Sequence, residues 1–235
     1  MVILAKILYG SQNYALDTEQ SDKDYKLIAL PELEELYYEK KLELPNEYDS
    51  NHYSIMDVRK WLQLLKKGSF NCIEYLFSIE FAYQMTNVCP MFIDFVAKLR
   101  KLFTEDQYLA EVWPLFYNSC VGLCIQTTKR SGYTKKTVSR MYWITQFLRS
   151  VVVNDFNIPE NIFGYPISSS RDLRKGEYIN DEEAFYKHLA DLLFKDMESI
   201  DKMAREFLAD IKQKDWKSTF FILDYQIQQM IKERI

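Results

Sequence analysis

Two aspartates one residue apart, Asp22 and Asp24, follow the pair Gly10-Ser11 near the start of the chain. In a strand alternate side chains share a face, so strand geometry here would point both carboxylates the same way. Two carboxylates held that close repel unless a cation lies between them, and hard oxygen ligands suit Mg²⁺ or Mn²⁺. The Gly10-Ser11 turn just upstream offers backbone N–H groups and a hydroxyl to a phosphate. A phosphate cradle beside a metal-binding acid pair is equipment for moving a nucleotidyl group. The plainer alternative for Asp22 and Asp24 is a pair of turn-capping aspartates.

The segment Gly10-Ser11-Gln12-Asn13-Tyr14-Ala15-Leu16-Asp17-Thr18-Glu19-Gln20-Ser21-Asp22-Lys23-Asp24-Tyr25-Lys26 resembles the active-site signature of the DNA polymerase β-like nucleotidyltransferases. It is most similar to a bacterial and phage branch predicted to act in RNA repair. Arg59 to Gly68, then Asn71 to Ser78, is similar to a helix-then-glutamate block of that branch, and Leu173 to Glu177 to another. The likeness runs over roughly residues 1–200.

The resemblance implies attack of a nucleophile on the α-phosphorus of a nucleoside triphosphate, ATP among the candidates, with loss of pyrophosphate. Two divalent ions on Asp22 and Asp24 would hold the attacking and leaving oxygens in line. Gly10 would let the backbone approach the phosphates, and Ser11 would donate to one of them. The family places a third carboxylate on the adjacent strand, where this chain reads Asn51-His52-Tyr53, with no acid. Asp57, Glu74 and Asp49 are the candidates for that role, in that order. Asp57 as a helix N-cap and Glu74 as a structural acid are the plain alternatives. Lys23 stands between the aspartates where the family has an apolar residue. Gln12 and Ala15 replace Arg and Gly, and Ser139, Arg140 and Tyr142 occupy the place of a His–Arg pair. The acceptor implied first is an RNA end. A protein hydroxyl or small molecule is the second reading, and a non-catalytic nucleotide-binding module the third.

Charge distribution adds a second signal. The chain carries a net charge of −4, which argues against a general polyanion binder. From Trp113 to Asn154, however, there is no Asp or Glu, while Lys129, Arg130, Lys135, Lys136, Arg140 and Arg149 fall inside that stretch. A basic segment in an acidic protein points to phosphates. Lys129, Arg130, Lys135 and Lys136 are candidates for triphosphate or nucleic-acid backbone contact, and Tyr133 for stacking on a base. A solvated turn between helices, with an exposed tyrosine, is the alternative. Arg174 and Lys175 are candidates to close the cleft.

The elements that must position these groups follow from periodicity. Residues 2–9 read as a buried strand, 11–16 as one helical turn capped by Ser11, and 22–30 as a second strand ended by Pro31. Residues 31–50 read as a charged, partly helical arm over the site, and 51–56 as a third strand. Asp57 caps a helix with Val58, Trp61, Leu62 and Leu65 on one face, stopped by Gly68. From Ser78 onward the pattern is helical: a helix opened by Pro90, one from Glu105 to Lys129 bent at Pro114, one from Thr134 to Val153, an irregular stretch over 154–180, then helices over 181–213 and 215–234. The expectation is an α+β fold, with a small mixed β-sheet nucleotidyltransferase head over residues 1–85 and an α-helical body over 86–235.

The remaining signals exclude more than they assign. Cys72, Cys89, Cys120 and Cys124 contain no C-x-x-C pair. The four-residue spacing of Cys120 and Cys124 lacks enough histidines for a zinc quartet, so reduced, packed thiols are expected. His52 and His188 accompany no Gly-x-Ser-x-Gly elbow, and there is no Walker A motif. No leader and no apolar run of membrane-spanning length is apparent, so the expected setting is cytoplasmic, without a membrane partner.

Overall fold

The fold is described from a computed structural model, which covers residues 1–19, 21–84, 90–159, 162–164, 170, 172–173, 182–211 and 214–233. The chain opens with β1 (Val2–Tyr9), a 3₁₀ turn (Ser11–Tyr14), β2 (Asp24–Leu30) and α1 (Leu33–Tyr37). Next come β3 (Tyr53–Asp57), α2 (Val58–Leu65), α3 (Phe70–Leu76) and β4 (Phe81–Tyr83). The rest is helical: α4 (Pro90–Thr104), α5 (Tyr108–Glu111), α6 (Trp113–Ser131), α7 (Lys135–Val153), α8 (Glu182–Leu208) and α9 (Lys217–Lys232). This is an α+β architecture, a small mixed sheet near the N-terminus followed by helices.

The four strands run in the order β3-β2-β1-β4. β1 pairs antiparallel with β2 and with β4, and β2 pairs parallel with β3. One sheet face, through Leu4, Ala5, Ile7, Ile28 and Leu30, joins the main core of the helices. That core continues past residue 85 to Met230, so sheet and helices share one apolar interior. Much of the aromatic content lies there. Tyr14 packs on Trp143 at 4.6 Å between ring centroids, Trp143 stacks on Phe147 at 5.3 Å, and Phe147 meets Phe70 at 5.5 Å. Such tilted and offset pairs add to the gain from burying large rings. They tie the 3₁₀ turn of the head to α7 of the body.

Several elements depart from expectation for identifiable reasons. The arm over residues 31–50 lies across the opposite sheet face from the helices. Leu42, Leu44 and Tyr48 pack there with Ile3, Leu27 and Ala29, so the arm does not cover the Asp24 face. Tyr83, Ala82 and Phe81 form an edge strand on β1 within a stretch expected to be helical. Pro114 opens a helix instead of bending one: the expected helix from Glu105 divides into α5 and α6 at Val112, and Pro114 occupies the first turn of α6, where its missing N–H costs nothing. The N-cap position of the 3₁₀ turn belongs to Gly10, not Ser11, and no side chain caps it. The expected Asp57 cap is present on α2, and Thr134, read as the first residue of its helix, is the N-cap of α7. Cys72, Cys120 and Cys124 are buried free thiols, and Cys89 lies outside the described residues. Among the described residues no helix is long and apolar enough to cross a membrane.

Candidate functional site

Glycine at position 10 is required by the backbone. Its φ of 84° and ψ of −150° fall in a region that side chains rarely adopt, and the bend directs the chain from β1 into the 3₁₀ turn. A Cβ on Gly10 would lie 3.7 Å from Asp24 Oδ2. The bend and the second aspartate therefore lie a methyl group's reach apart. The same closeness follows from register, since Tyr9 pairs with Asp24 across β1 and β2.

Glu74 fixes the bend. Its carboxylate is buried on α3 and accepts the Gly10 N–H at Oε1 (2.7 Å) and the Tyr14 hydroxyl at Oε2 (2.5 Å). Arg140, one turn into α7, lies 3.9 Å from Glu74 and donates to the Tyr14 hydroxyl at 3.2 Å. Burial raises the Glu74 pKa, opposed by Arg140 and by the hydrogen bonds from Tyr14, Gly10 and Asn13. Burial also pushes the Tyr14 phenol well up, so it stays protonated and donates. Glu74 thus spends both oxygens on the turn, in keeping with the structural alternative for this residue.

With Gly10 N–H taken by Glu74, the turn's own bonds begin at Asn13 N–H to Gly10 C=O and Leu16 N–H to Ser11 C=O. The Ser11 and Gln12 N–H groups have no acceptor among the described residues. Ser11 is half-buried at the head of the turn. These donors follow directly on the Gly10 bend beside Asp24.

The two aspartates are not equivalent. β2 begins at Asp24, so Asp22 and Lys23 lie in the exposed segment ahead of the strand. Asp24 is half-buried on the face that carries Lys26 and Ile28 toward the helices.

The parallel register between β2 and β3 decides the third acid. Tyr25 pairs with Tyr53 and Ala29 with Asp57. Asp57 therefore stands roughly 17 Å along the sheet from the level of Asp24, at about 3.3 Å per residue. There it accepts the Arg59 N–H at 2.8 Å as the cap of α2 and forms a two-bonded ion pair with the Arg59 guanidinium. His52 is the residue brought level with Asp24, its carbonyl accepting the Tyr25 N–H at 2.8 Å. Asp49 sits at the correct end but turns inward on its own loop, accepting from Asn51 N–H at 2.9 Å and lying 3.8 Å from the His52 ring. Among the described residues no group of three or more His, Cys, Asp or Glu side chains comes together.

The basic segment forms the α6–α7 turn around Gly132. Lys129 and Arg130 are exposed in the last turn of α6, and Lys136 is exposed and Lys135 half-buried at the start of α7. Lys136 and Arg140 are one helical turn apart on α7, which relates the basic turn to the Tyr14–Glu74 network. Tyr133 is half-buried and packs against the main core, so only part of its ring is open to a base. Arg149 is bound to Asp196 at 2.6 and 2.8 Å. Arg174 and Lys175 lie outside the described residues. The cavity lined by Asp106, Glu111, Pro114 and Trp216 belongs to the helical body and not to the Asp24 site.

No family model, no curated protein and no solved structure matches this chain. The likeness to the polymerase β-like nucleotidyltransferases therefore stands on the quoted residues, and the site on its own geometry.

Proposed function

We propose that the chain is a Mg²⁺-dependent nucleotidyltransferase that transfers NMP from an NTP to a hydroxyl acceptor, an RNA end first among the candidates. The observation that carries this reading is the Gly10 bend, fixed by a buried glutamate, lying beside Asp24. Unpaired backbone N–H groups and a carboxylate beside one bend suit a triphosphate that arrives with its cation.

The donor set fits one such ion. Asp22 and Asp24 offer hard oxygens, and Mg²⁺ is usually held by one or two carboxylates with the remaining positions filled by water and substrate phosphates. No group of three or more His, Cys, Asp or Glu comes together here among the described residues, so water and the substrate's phosphates would have to supply the other positions. When bound, the ion would neutralise phosphate charge and polarise the reacting phosphoryl group. The chain's residues supply position: Ser11 and the N–H groups of the turn hold the phosphate tail, and Gly10 leaves room for it. Lys135 and Lys136 stand at the start of α7, where the helix dipole already favours an anion and cations are otherwise unfavourable. A nucleic-acid phosphate there would satisfy both.

A second reading, a nucleotide-binding module without transfer, is favoured by the third-acid position itself. His52, not a carboxylate, is level with Asp24, and Glu74 is consumed by the turn. A carboxylate base for an incoming hydroxyl is missing from that place.

Incubation with α-labelled NTPs, Mg²⁺ and RNA separates the readings. Labelled RNA that disappears with Asp22→Ala and Asp24→Ala together supports transfer. Labelled protein bands alone move the acceptor to a protein hydroxyl. NTP binding without pyrophosphate release supports the module, and labelling that survives the double substitution overturns the assignment.

A further inference from the structure

A cavity of about 360 Å³ lies at the end of α3, lined by Phe77, Ile79, Arg100, Thr104, Ile162 and Phe163 among others. Three hydrogen bonds fasten its wall to the two flanks of the Gly10 bend. The Ser78 hydroxyl donates to the Leu8 carbonyl at 2.6 Å, the Ile79 N–H to Asn13 Oδ1 at 3.0 Å, and the Gly164 N–H to the Asn13 carbonyl at 2.9 Å. Leu8 stands two residues before Gly10. Asn13 stands two residues after Ser11 in the 3₁₀ turn, about 4 Å along its axis. Gly164 has a φ of 83°, and a Cβ there would lie 2.5 Å from Ile79 Cγ2, so the segment that follows Phe163 seats on Ile79 only as glycine.

The wall is mostly apolar and aromatic with few polar groups, the usual make-up of a small-molecule site. The rings of Phe77 and Phe163 are parallel to within 5°, with centroids 6.5 Å apart. Ring faces turned the same way suit a flat ligand. Ser78 and Thr104 spend their hydroxyl protons on the Leu8 and Arg100 carbonyls. Arg100 is half-buried and fixed at one edge: its Nε donates to the Leu76 carbonyl at 3.0 Å, and its guanidinium lies 5.1 Å from the Phe81 ring centroid. Among the described residues nothing accepts from its two terminal nitrogens. A fixed planar fork of donors matches two acceptors side by side. A carboxylate would fill the fork and leave the ring faces bare, whereas a purine uses both.

We infer that this cavity receives the base of the nucleotide and selects purines, guanine above adenine, through Arg100 and the Phe77 and Phe163 rings. The inference rests on reading the Gly10–Asp24 site as a nucleotide site. With the phosphates on the Ser11 turn, the sugar spans Asn13 and the base enters the cavity. Guanine O6 and N7 accept from the two terminal nitrogens of Arg100. Adenine offers N7 alone beside an amino donor, and a pyrimidine covers less of the ring faces.

Ligand-observed NMR of the full chain with guanosine, adenosine and cytidine, without metal, tests the cavity apart from the phosphate site. Wild type is expected to bind guanosine more tightly than adenosine, and cytidine least. Arg100→Lys keeps the charge and loses the fork, so guanosine binding should weaken by about tenfold and its advantage over adenosine should vanish. Asp24→Asn should leave guanosine binding unchanged, since a nucleoside brings no phosphate. Thermal melts check that both variants fold. On the unmodified protein, Mg²⁺-GTP should displace guanosine. Absence of purine binding to wild type overturns the inference, as does cytidine binding equal to guanosine, a guanosine preference retained by Arg100→Lys, or simultaneous occupancy by guanosine and Mg²⁺-GTP. If the base preference is absent while Mg²⁺-NTP still labels RNA, the cavity assignment falls and transfer stands. If guanosine binds through Arg100 while NTP binding is indifferent to Asp24→Asn, the purine cavity stands and the metal–phosphate reading falls.

Discussion

Glu74 Oε1 accepts the Gly10 N–H at 2.7 Å, across 64 residues of sequence. This one bond joins α3 to the bend that faces Asp24, and the other carboxylate oxygen joins the same bend to α7 through Tyr14 and Arg140. The shape of the bend is therefore held by a buried residue of α3. Glu74→Ala leaves half-buried Arg140 without its partner and two donors without acceptors. A stability loss of about 3–5 kcal/mol is expected from breaking such a buried pair. Urea unfolding of the full chain checks it.

Titration of Glu74 gives a signed pH effect. Its folded pKa is raised above the ordinary value of 4.5, with burial as the leading cause. The folded state then holds its proton more tightly than the unfolded chain. The contribution is fully present below pH 4.5 and is lost as pH rises through the higher folded value. The stability of wild type minus that of Glu74→Gln should fall over that window, measured as urea midpoints from about pH 4 upward. A difference that grows with pH would mean that Arg140 and the hydrogen bonds outweigh burial.

Gly10→Ala separates strain from crowding. A new Cβ would meet Asp24 Oδ2 at 3.7 Å, an ordinary contact, so the cost arises from the positive φ. That strain is worth about 1–3 kcal/mol. A lower melting temperature together with weakened NTP binding is expected, since the bend can relieve strain only by leaving Asp24. A stable variant with unchanged binding would show that the bend plays no part in the site.

Asp57 and Asp24 should respond in opposite ways. Asp57→Ala removes the α2 cap and its Arg59 pair, for a loss of about 1 kcal/mol or somewhat more. NTP binding should be unaffected, because Asp57 lies at the far end of the parallel register. Chemical denaturation and calorimetry on the same variant read both quantities.

The basic turn is testable through salt. Replacing Lys129, Arg130 and Lys136 by Ala should weaken RNA binding and flatten its dependence on salt concentration. The log–log slope should fall by about 0.7 for each single-strand phosphate that is no longer neutralised. Filter binding at several salt concentrations gives that slope. An unchanged slope would mark the turn as a solvated connection.

Local signals were the legible ones. β1, the Asp57 cap with its Val58, Trp61, Leu62 and Leu65 face, and the helix that follows Thr134 are written in neighbouring residues, and the structure carries them. The closeness of Gly10 to Asp24 was legible as a spacing. What escaped depends on pairings between distant segments. The parallel register that carries Asp57 away from Asp24 has no local signature, and neither does the arm's choice of the far sheet face. The three-residue strand Phe81–Tyr83 is too short to show an alternating pattern. The role of Glu74 appears only once Tyr14 and Arg140 are beside it, although an acid inside an otherwise apolar run (Cys72-Ile73-Glu74-Tyr75-Leu76) was a signal that it would need buried donors.

Binding of Mn²⁺ with ATP, followed by electron paramagnetic resonance, tests the Gly10–Asp24 site most directly. Wild type should take up Mn²⁺ in the presence of ATP, with Asp24→Asn weakening uptake by about tenfold or more and Asp57→Asn leaving it unchanged. Uptake that is the same in wild type and Asp24→Asn would contradict a metal–triphosphate site at this aspartate.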